Sequence, residues 1–345
     1  MTPFPTYYLS FRSPLHIGER GVGLEETRTH VPADTLFGAI CSVWRLLYGK
    51  KDLEEELLPR FREPAGAEPF FLTSAFPYAG TIRLFPKPLA RFLNLKVNEE
   101  DDKVFRRIRF VSESVFVSLA MGESLTFDRE HCMSGGAAWI TEDEKKQLSC
   151  LADDLTGDPS LWRKVIVPRV TLDRLSSSST IWHFGKLILQ DGCGLWFAVQ
   201  FNPAYQGLRK KFEAALRLLG DEGLCGERGA GHGLFEVKRT KEQQIPGLAG
   251  TKHSVTLSPV WPKDEHQARL LTGDGSAYDL TPRRGWVTSP EAANLRRKVV
   301  WMLSEGSVLT EASEGFPGGL ANVKPDDCSH DVWRYGYAFP TGVKV

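Results

Sequence analysis

Residues 195–239, LWFAVQFNPAYQGLRKKFEAALRLLGDEGLCGERGAGHGLFEVKR, decide the fold of this chain. The run Leu195–Phe201 is an apolar stretch of strand length. After it, apolar residues recur at helical spacing on one face and basic residues occupy the other, and Gly220 is expected to end this helix. The segment Leu234–Arg239 alternates like a strand. The stretch therefore predicts a strand, a helix, a glycine-rich loop and a second strand.

The same pattern occurs at the start of the chain. Tyr7–Phe11 is rich in residues that favour strands. Residues 34–48 carry apolar side chains at helical spacing over a broad face, with Asp34 as the predicted N-cap. An apolar strand follows at Phe70–Phe76 and is expected to stop at Pro77.

These elements, with one more strand between Val170 and Leu189, predict the β-α-β-β-α-β order of a ferredoxin-like unit. The interval around residues 78–165 is too long to join two strands, so we interpret it as an insertion with a small helix and a long hairpin. Later residues alternate short strand candidates with proline- and glycine-containing loops. We expect an α+β protein with two ferredoxin-like domains, residues 1–250 with the insertion and residues 251–345 in degenerate form. A β-rich cap would also explain the second domain.

Composition and charge limit the functional classes. Of the 345 residues, 41% are hydrophobic and 25% are charged, which argues against a disordered or collagen-like chain. Lysine plus arginine and aspartate plus glutamate each number 43. Because the net charge is zero, any contact with nucleic acid must come from local basic patches.

The sequence favours a cytoplasmic protein. No apolar run approaches the roughly 18 residues of a membrane-spanning helix, and the first residues lack the basic and then apolar pattern of a secretory leader. The six cysteines are scattered and no two have CxxC spacing, so we expect neither a disulfide framework nor a zinc ribbon.

The glycine loop, defined as residues 220–233, is the most unusual segment. Its glycines permit positive φ and a close approach of the backbone to a ligand. A dinucleotide fingerprint needs its glycines after a strand and before a helix, and here the order is reversed, so no nucleotide cofactor is expected. The loop suits a phosphodiester instead, and a long mobile turn is the alternative. The candidate contacts are Gly226, Arg228, Gly229, Gly231 and His232.

A second candidate surface lies at Trp162–Leu187, where basic residues outnumber acidic ones and are interleaved with tryptophan and phenylalanine. Basic groups follow phosphates and aromatic rings stack on bases, a combination that suits single-stranded nucleic acid. The candidates here are Arg169, Asp173 and Arg174. A solvated basic face is the alternative, with Asp173 and Arg174 as a structural ion pair.

Two histidines are candidates for chemistry. His16 follows the first strand and His232 lies in the glycine loop, so a ferredoxin-like fold could bring them together as an acid/base pair for RNA cleavage. A surface or hydrogen-bonding role is the alternative for each. No nucleophile signature occurs, and the adjacent His131 and Cys132 lack a second ligand pair. We therefore assign no catalytic residue and no metal.

Several segments together resemble the RAMP superfamily, and within it the subunit that caps the CRISPR RNA (crRNA) 5′ tag in type III-A interference complexes. The resemblance spans residues from near 10 to near 340, and Arg12, Ser13 and His16 at its start join the RNA-binding candidates. The segments are SPLHIGERGVG (13–23), PADTLFGAI (32–40), SAFPYAG (74–80), PKP (86–88), RVTLDR (169–174), GERGAGHGLFEV (226–237), LSPVWP (257–262), EGSVL (305–309) and YGYAFP (335–340).

The resemblance implies two ferredoxin-like domains, a β-thumb projecting from the first, and a chain without catalytic activity or cofactor. The partners it implies are the crRNA 5′ tag, the large polymerase-like subunit, the backbone RAMP subunit and, near the thumb, target RNA. A histidine and a serine often precede the Asp-Thr-Leu-Phe run in this family. Pro32 and Ala33 stand there in this chain, which predicts the loss of a polar contact.

Three alternatives stay open. The first is a RAMP endoribonuclease that processes precursor crRNA with His16 or His232. The second is the equivalent subunit of a type III-B complex. The third is an assembly scaffold that binds no RNA and would show no salt-sensitive RNA affinity.

Overall fold

The computed structural model describes residues 3–18, 25–63, 66–90, 92, 94–151, 159–176, 178–239, 242–292, 294–310 and 315–345. The helices are α1 (Ala33–Lys51), α2 (Asp102–Arg107), α3 (Glu113–Met121), α4 (Glu142–Gln147), α5 (Leu208–Glu222) and α6 (Glu265–Leu271). The strands are β1 (Pro3–Phe4), β2 (Thr6–Phe11), β3 (Phe70–Leu72), β4 (Phe76–Ala79), β5 (Ile82–Pro86), β6 (Leu95–Lys96), β7 (Phe110–Ser112), β8 (Leu125–Thr126), β9 (Cys132–Met133), β10 (Ala138–Trp139), β11 (Trp162–Leu172), β12 (Ser179–Leu189), β13 (Cys193–Phe201), β14 (Phe235–Arg239), β15 (Gln243–Gln244), β16 (His253–Thr256), β17 (Leu280–Arg283), β18 (Val300–Leu303), β19 (Val308–Thr310), β20 (Gly318–Asn322), β21 (Trp333–Tyr337) and β22 (Pro340–Val343). The prediction of a mixed α and β protein is confirmed.

The central sheet has nine strands, eight of them in the order β14-β2-β13-β4-β5-β7-β10-β9, while β3 pairs with the far end of β13. β2 lies antiparallel between β14 and β13, and β13 is antiparallel to β4. α1 joins β2 to β3, and α5 joins β13 to β14. The two helices contact each other, and Lys211 Nζ lies 2.6 Å from Asp52 Oδ2 between them. The elements thus follow one another in β-α-β-β-α-β order, as β2, α1, β3/β4, β13, α5 and β14.

The apolar face predicted for α5 is confirmed, because Leu208, Phe212, Leu216 and Leu219 are all buried. The prediction that Gly220 ends this helix is wrong. α5 continues to Glu222, and Gly223 follows at φ 86°. A Cβ on Gly220 would lie 2.4 Å from the carbonyl oxygen of Phe235. This glycine therefore allows α5 to pack closely on β14.

The start of α1 also differs from the prediction. Pro32 is the N-cap, and the Ala33 N–H donates to Ser74 Oγ at 2.8 Å, so the helix keeps a polar contact there. Asp34 lies buried in the first turn, where the Arg283 and Arg334 guanidinium groups donate to its carboxylate. Pairing with two arginines from the C-terminal half therefore takes the place of the predicted local cap.

Two strand predictions need correction. Pro77 does not end the first long apolar strand, because it lies within β4 and pairs with Leu195 of β13. The stretch from Val170 to Leu189 does not add a strand to the central sheet. It forms the end of β11, a turn and β12, and β11 and β12 pair with each other over their full length in a two-stranded ribbon.

The interval predicted as an insertion extends the central sheet with β5, β7, β10 and β9 and carries α2, α3 and α4. The long hairpin expected within it begins at Trp162, at the end of that interval, and runs to Leu189. It is called the thumb hairpin below. Its base is fixed to the chain after β2 by reciprocal backbone hydrogen bonds between Leu15 and Leu187, both 2.8 Å.

The C-terminal half has three small sheets and a short helix. β16 lies between β19 and β22, while β17 pairs with β18 and β20 with β21. The short helix is α6, and Asp264 is its N-cap, accepting a hydrogen bond from the Gln267 N–H. β21 packs on α1, where the rings of Tyr335 and Phe37 are 5.2 Å apart. The largest hydrophobic core therefore extends from the N-terminal half into the C-terminal half, which also has two smaller clusters of its own among the described residues.

Candidate nucleic-acid interface

The thumb hairpin presents apolar side chains to solvent. Ile166, Leu172, Leu175 and Ile181 are 58%, 69%, 98% and 66% exposed. β11 and β12 pair along their length without joining the central sheet, so neither face of their outer part is covered by the described residues. Apolar surface of this kind marks an interaction site in a folded protein.

Midway along the thumb hairpin, where Val167 pairs with Phe184, four side chains surround the Phe184 ring. The part of the hairpin from Arg169 and Trp182 to its attached end is called its base below. The His16 and His232 rings have their centroids 4.6 Å and 5.4 Å from that of the Phe184 ring, and the Arg169 guanidinium lies 4.5 Å from it. Trp182 completes the group with an edge contact at 6.1 Å. The glycine loop therefore meets the second candidate surface, Trp162–Leu187, at one aromatic ring. The sequence identified these two segments separately.

Arg169 ties the thumb hairpin to the glycine loop. Its Nη1 donates to Glu227 Oε2 at 2.7 Å, and its Nη2 lies 3.5 Å from His232 Nε2. Burial lowers the pKa of His232, and the nearby charges of Lys186 and Arg169 lower it further. A lowered pKa favours the neutral imidazole, whose Nε2 can accept from the guanidinium. The pair is therefore a structural contact at neutral pH.

His16 is held from both sides. Its Nδ1 lies 2.9 Å from the Gly185 carbonyl oxygen, and its own carbonyl accepts from the Gly226 N–H at 3.0 Å. A Cβ on Gly226 would lie 2.9 Å from the His16 ring. Gly226 is therefore required for close packing of the loop on His16.

The glycines of the loop serve different purposes. Gly223, Gly231 and Gly233 have positive φ, whereas Gly226 and Gly229 do not, so positive φ is not what the latter two supply. A Cβ on Gly233 would lie 2.1 Å from the Leu224 carbonyl oxygen, while open space surrounds Gly229 and Gly231. Gly233 therefore shapes the loop, whereas Gly229 and Gly231 leave its outer surface accessible.

The outer surface of the loop is formed by a short 3-10 turn, Arg228–Ala230. Arg228 and Gly229 are exposed. Glu227 precedes them at φ 59°, an unusual conformation for a residue with a side chain, and directs its carboxylate to Arg169. Sequence reasoning missed Glu227 because its acidic side chain carries no signal for an anion site.

The remaining predicted residues lie apart from this cluster. Arg12 pairs with Asp221 at 3.2 Å on the surface, and Ser13 Oγ accepts from the Leu234 N–H at 2.9 Å, which fixes the end of the loop. Asp173 and Arg174 lie in the turn at the tip of the thumb hairpin. Backbone hydrogen bonds from Leu175 and Ser176 lower the pKa of Asp173, which caps that turn.

Across the residues that the structure describes, no three His, Cys, Asp or Glu side chains group in a way that could hold a metal ion. In the same residues, no helix has the length and apolar character needed to cross a membrane.

Comparison with known proteins assigns the family. Residues 8–236 match the model of the RAMP superfamily. Since this match covers more than half of the chain, the chain belongs to the RAMP superfamily. Residues 249–343 match the model of the CRISPR Csm4 C-terminal domain, which places the chain in the Csm4 branch of the superfamily.

Two curated relatives and two solved structures extend this comparison. The proteins described as "CRISPR system Cms protein Csm4" in Thermococcus onnurineus and Mycobacterium tuberculosis H37Rv are 28% and 26% identical. They cover 91% and 93% of this chain and 91% of their own lengths. A Csm3-Csm4 subcomplex of the type III-A interference complex has a TM-score of 0.69 at 17% identity, with 99% of this chain and 100% of that chain covered. A Csm1-Csm4 cassette in complex with cA4 has a TM-score of 0.61 at 23% identity, with 100% and 99% covered. At these identities, the structures support the fold.

Proposed function

We propose that this chain is the crRNA-binding subunit of a type III-A Csm effector complex and that it holds the crRNA 5′ tag along the glycine loop and the base of the thumb hairpin. One observation carries the proposal. Arg169 of the hairpin contacts both Glu227 and His232 of the loop, so the two predicted binding segments form one continuous surface.

The outer surface of the loop suits a phosphodiester. Arg228 is exposed, and the open space at Gly229 and Gly231 leaves no side chain between a ligand and the backbone. A phosphate can therefore reach both a guanidinium and backbone N–H groups, which are common phosphate ligands in RNA and DNA complexes. Arg174 adds a positive charge at the tip of the hairpin.

The thumb hairpin supports contact with target RNA. Its exposed leucines and isoleucines offer an apolar surface against which bases can pack. We assign the exposed apolar side chains of the outer part to the target strand, and the base of the hairpin together with Arg174 to the crRNA tag.

The protein partners follow from the two structural neighbours, whose chains of this type are bound to Csm1 and to Csm3. We infer that this chain bridges the large polymerase-like subunit to the backbone RAMP filament in the cytoplasm. The Csm4 C-terminal match favours the type III-A complex over the type III-B alternative.

The β-α-β-β-α-β order of the N-terminal half and its 4-1-3-2 strand arrangement, β14-β2-β13-β4, support a ferredoxin-like first domain. We assign it to residues 1–250. We interpret the three small sheets and α6 of residues 251–345 as a degenerate second unit.

The proposal includes the absence of catalysis. His16 and His232 do meet at Phe184, which is the observation that favours the endoribonuclease alternative. Both are nearly buried, at 5% and 6% exposure, and one nitrogen of each already faces a protein partner. Acid/base cleavage needs two groups that reach the 2′-hydroxyl and the leaving oxygen. These histidines are better placed to hold the loop on the hairpin.

The test uses the reconstituted complex with a double substitution, Arg228→Glu and Arg174→Glu. We expect lower crRNA occupancy than in the wild type, with a difference that is largest at low salt and narrows as salt rises, because salt screens both the lost attraction and the added repulsion. Arg269→Glu is the matched control, since Arg269 is an exposed arginine on α6 outside the interface. Full occupancy in the double variant across the titration would refute the proposal.

A second assay separates binding from catalysis. The purified chain is incubated with repeat RNA in the absence of metal, and the products are resolved by length. Uncut RNA is the expected result. Cleavage at one position that disappears in His16→Ala would establish the endoribonuclease instead.

A further inference from the structure

A cavity of about 290 Å³ lies between the glycine loop, the first turn of α1 and the C-terminal half. Its size is close to the lower end of the range for small-ligand sites. Five arginines line it, Arg228, Arg283, Arg284, Arg297 and Arg334. Among its described lining residues, these guanidinium groups face one carboxylate, that of Asp34.

Two of the arginines share a single counter-charge. Arg283 donates to Asp34 through Nε at 3.0 Å and Nη2 at 2.7 Å, and Arg334 donates to the other side of the same carboxylate. These three buried side chains form the floor of the cavity. Since one carboxylate balances one positive charge, the cavity keeps a strong excess of positive charge.

Arg297 is the least satisfied of the set. Its Nε is buried and has no hydrogen-bond partner in the described part of the chain. Burial and the neighbouring charge of Arg334 lower the pKa of Arg297 to about 10, which still leaves it protonated at neutral pH. A buried cation without a partner is costly. An anion that enters the cavity would remove this cost.

The mouth of the cavity carries an aromatic ring. Trp286 lines the cavity and is 48% exposed, and the Arg296 guanidinium lies 4.9 Å from its ring centre. Exposed tryptophan beside arginine is a stacking surface for a nucleobase. The other side of the cavity is the glycine loop itself, through Gly226 and Arg228.

We propose that this arginine cavity binds one nucleotide of the RNA that the glycine loop holds, with the phosphate at Arg297 and Arg228 and the base stacked on Trp286. The inference rests on the proposed function, since it requires that the loop binds RNA. A free nucleotide has the same phosphate and base, so the experiment separates the two sources.

The test compares two cavity variants, Arg297→Met and Trp286→Ala, with two matched controls. Arg297→Met removes the charge and keeps an unbranched side chain. Trp301→Ala is the control for Trp286, because Trp301 is 58% exposed on β18 and does not line the cavity. Arg269→Met is the control for Arg297.

Each variant is assembled into the crRNA-containing complex, and the 5′ tag is probed with a single-strand-specific ribonuclease. In both cavity variants we expect at least a fivefold faster cut at one tag nucleotide, which is the smallest effect typical of a lost base stack. The controls should keep the wild-type footprint. A wild-type footprint in both cavity variants would overturn the inference.

Two further arms separate the possible failures. Gly229→Val, which blocks the loop outside this cavity, reports on the proposed function. If it exposes the tag while the cavity variants do not, the proposed function stands and the cavity inference fails. If neither does, both fail. The last arm is equilibrium dialysis of the full chain with AMP. If AMP binds saturably, this binding is lost in Arg297→Met and the RNA footprint is unchanged, the cavity binds a free nucleotide and the RNA assignment is overturned.

Discussion

Replacing Asp34 by asparagine should destabilise the protein strongly while leaving its shape intact. The carboxylate is fully buried and accepts three charge-assisted hydrogen bonds from two arginines that are themselves 8% and 2% exposed in their side chains. Asparagine has nearly the same volume, so no cavity forms. Two buried guanidinium groups then lose their counter-charge beside Arg297.

Breaking a buried ion pair from one side costs about 3 to 5 kcal/mol, and Asp34→Asn is expected to fall in this range. That is a large fraction of the roughly 5 to 15 kcal/mol that stabilises a typical domain. Urea unfolding followed by tryptophan fluorescence measures it. Glu142→Gln is the control, because the Glu142 to Lys146 pair is fully exposed and its loss should leave the unfolding midpoint unchanged. A loss below about 1 kcal/mol, the size of a surface pair, would refute the reasoning.

The same substitution has a pH signature. Burial alone would raise the pKa of Asp34, but the charges of Arg283 and Arg334 outweigh it and hold the pKa below its usual value. A depressed pKa in the folded state contributes stability that is complete above the unfolded value of about 3.9 and is lost as the pH falls through the folded value. The difference in unfolding free energy between wild type and Asp34→Asn should therefore narrow below about pH 4.

Three further outcomes are expected. Gly233→Ala should lower the unfolding free energy measured in urea by more than about 2 kcal/mol, because positive φ costs about 1 to 2 kcal/mol and the new Cβ would meet the Leu224 carbonyl. Gly229→Ala should leave the unfolding free energy nearly unchanged. The double variant His16→Ala, His232→Ala should keep target-RNA cutting by the assembled complex near wild type at matched crRNA occupancy, and a hundredfold loss, typical of removing acid/base groups, would contradict this. NMR titration should give His232 a pKa below the usual value of about 6.5, because burial and the nearby charges of Lys186 and Arg169 disfavour its protonated form. A pKa above that value would show that the opposite effect of the Glu227 carboxylate is the larger one.

The parts of the fold that were predictable from sequence are those with a one-sided apolar pattern. α5 is such a case, because its buried residues recur at helical spacing. β14 is another, because buried Phe235 and half-buried Val237 alternate with exposed Glu236 and Lys238. The sequence predicts one strand of the ferredoxin-like unit between Val170 and Leu189, a stretch that contains the apolar residues Ile181 and Leu187. Of these two, only Leu187 is buried, while Ile181 is exposed on an arm that lacks a covering layer. A sequence pattern shows that a side chain is apolar, but it does not show whether another part of the protein covers that side chain.

The candidate site was predictable in its loop and in its arginine, but not in its contacts. Arg169 and His232 are 63 residues apart, and their meeting depends on the register of β11 with β12. Asp34 shows more strongly that contacts between residues distant in sequence cannot be predicted from a local pattern. Aspartate before an apolar helix is a good local sign of an N-cap, yet its partners lie 249 and 300 residues away and outweigh that preference.

The distance between Asp34 and its two arginines also sets the order in which the protein can be completed. When the N-terminal half leaves the ribosome, α1 carries an acid at a position that must be buried, and neither cation has yet been synthesised. Arg334 lies 300 residues after Asp34, so the first helix cannot reach its final packing until the chain has been made at least as far as Arg334. Such long-range contacts slow folding and prolong the life of partly folded states. A chain that ended before Arg283 would keep a carboxylate without a counter-charge in its core, and a chain that ended before Arg334 would lack one of the two arginines that hold the start of the first helix.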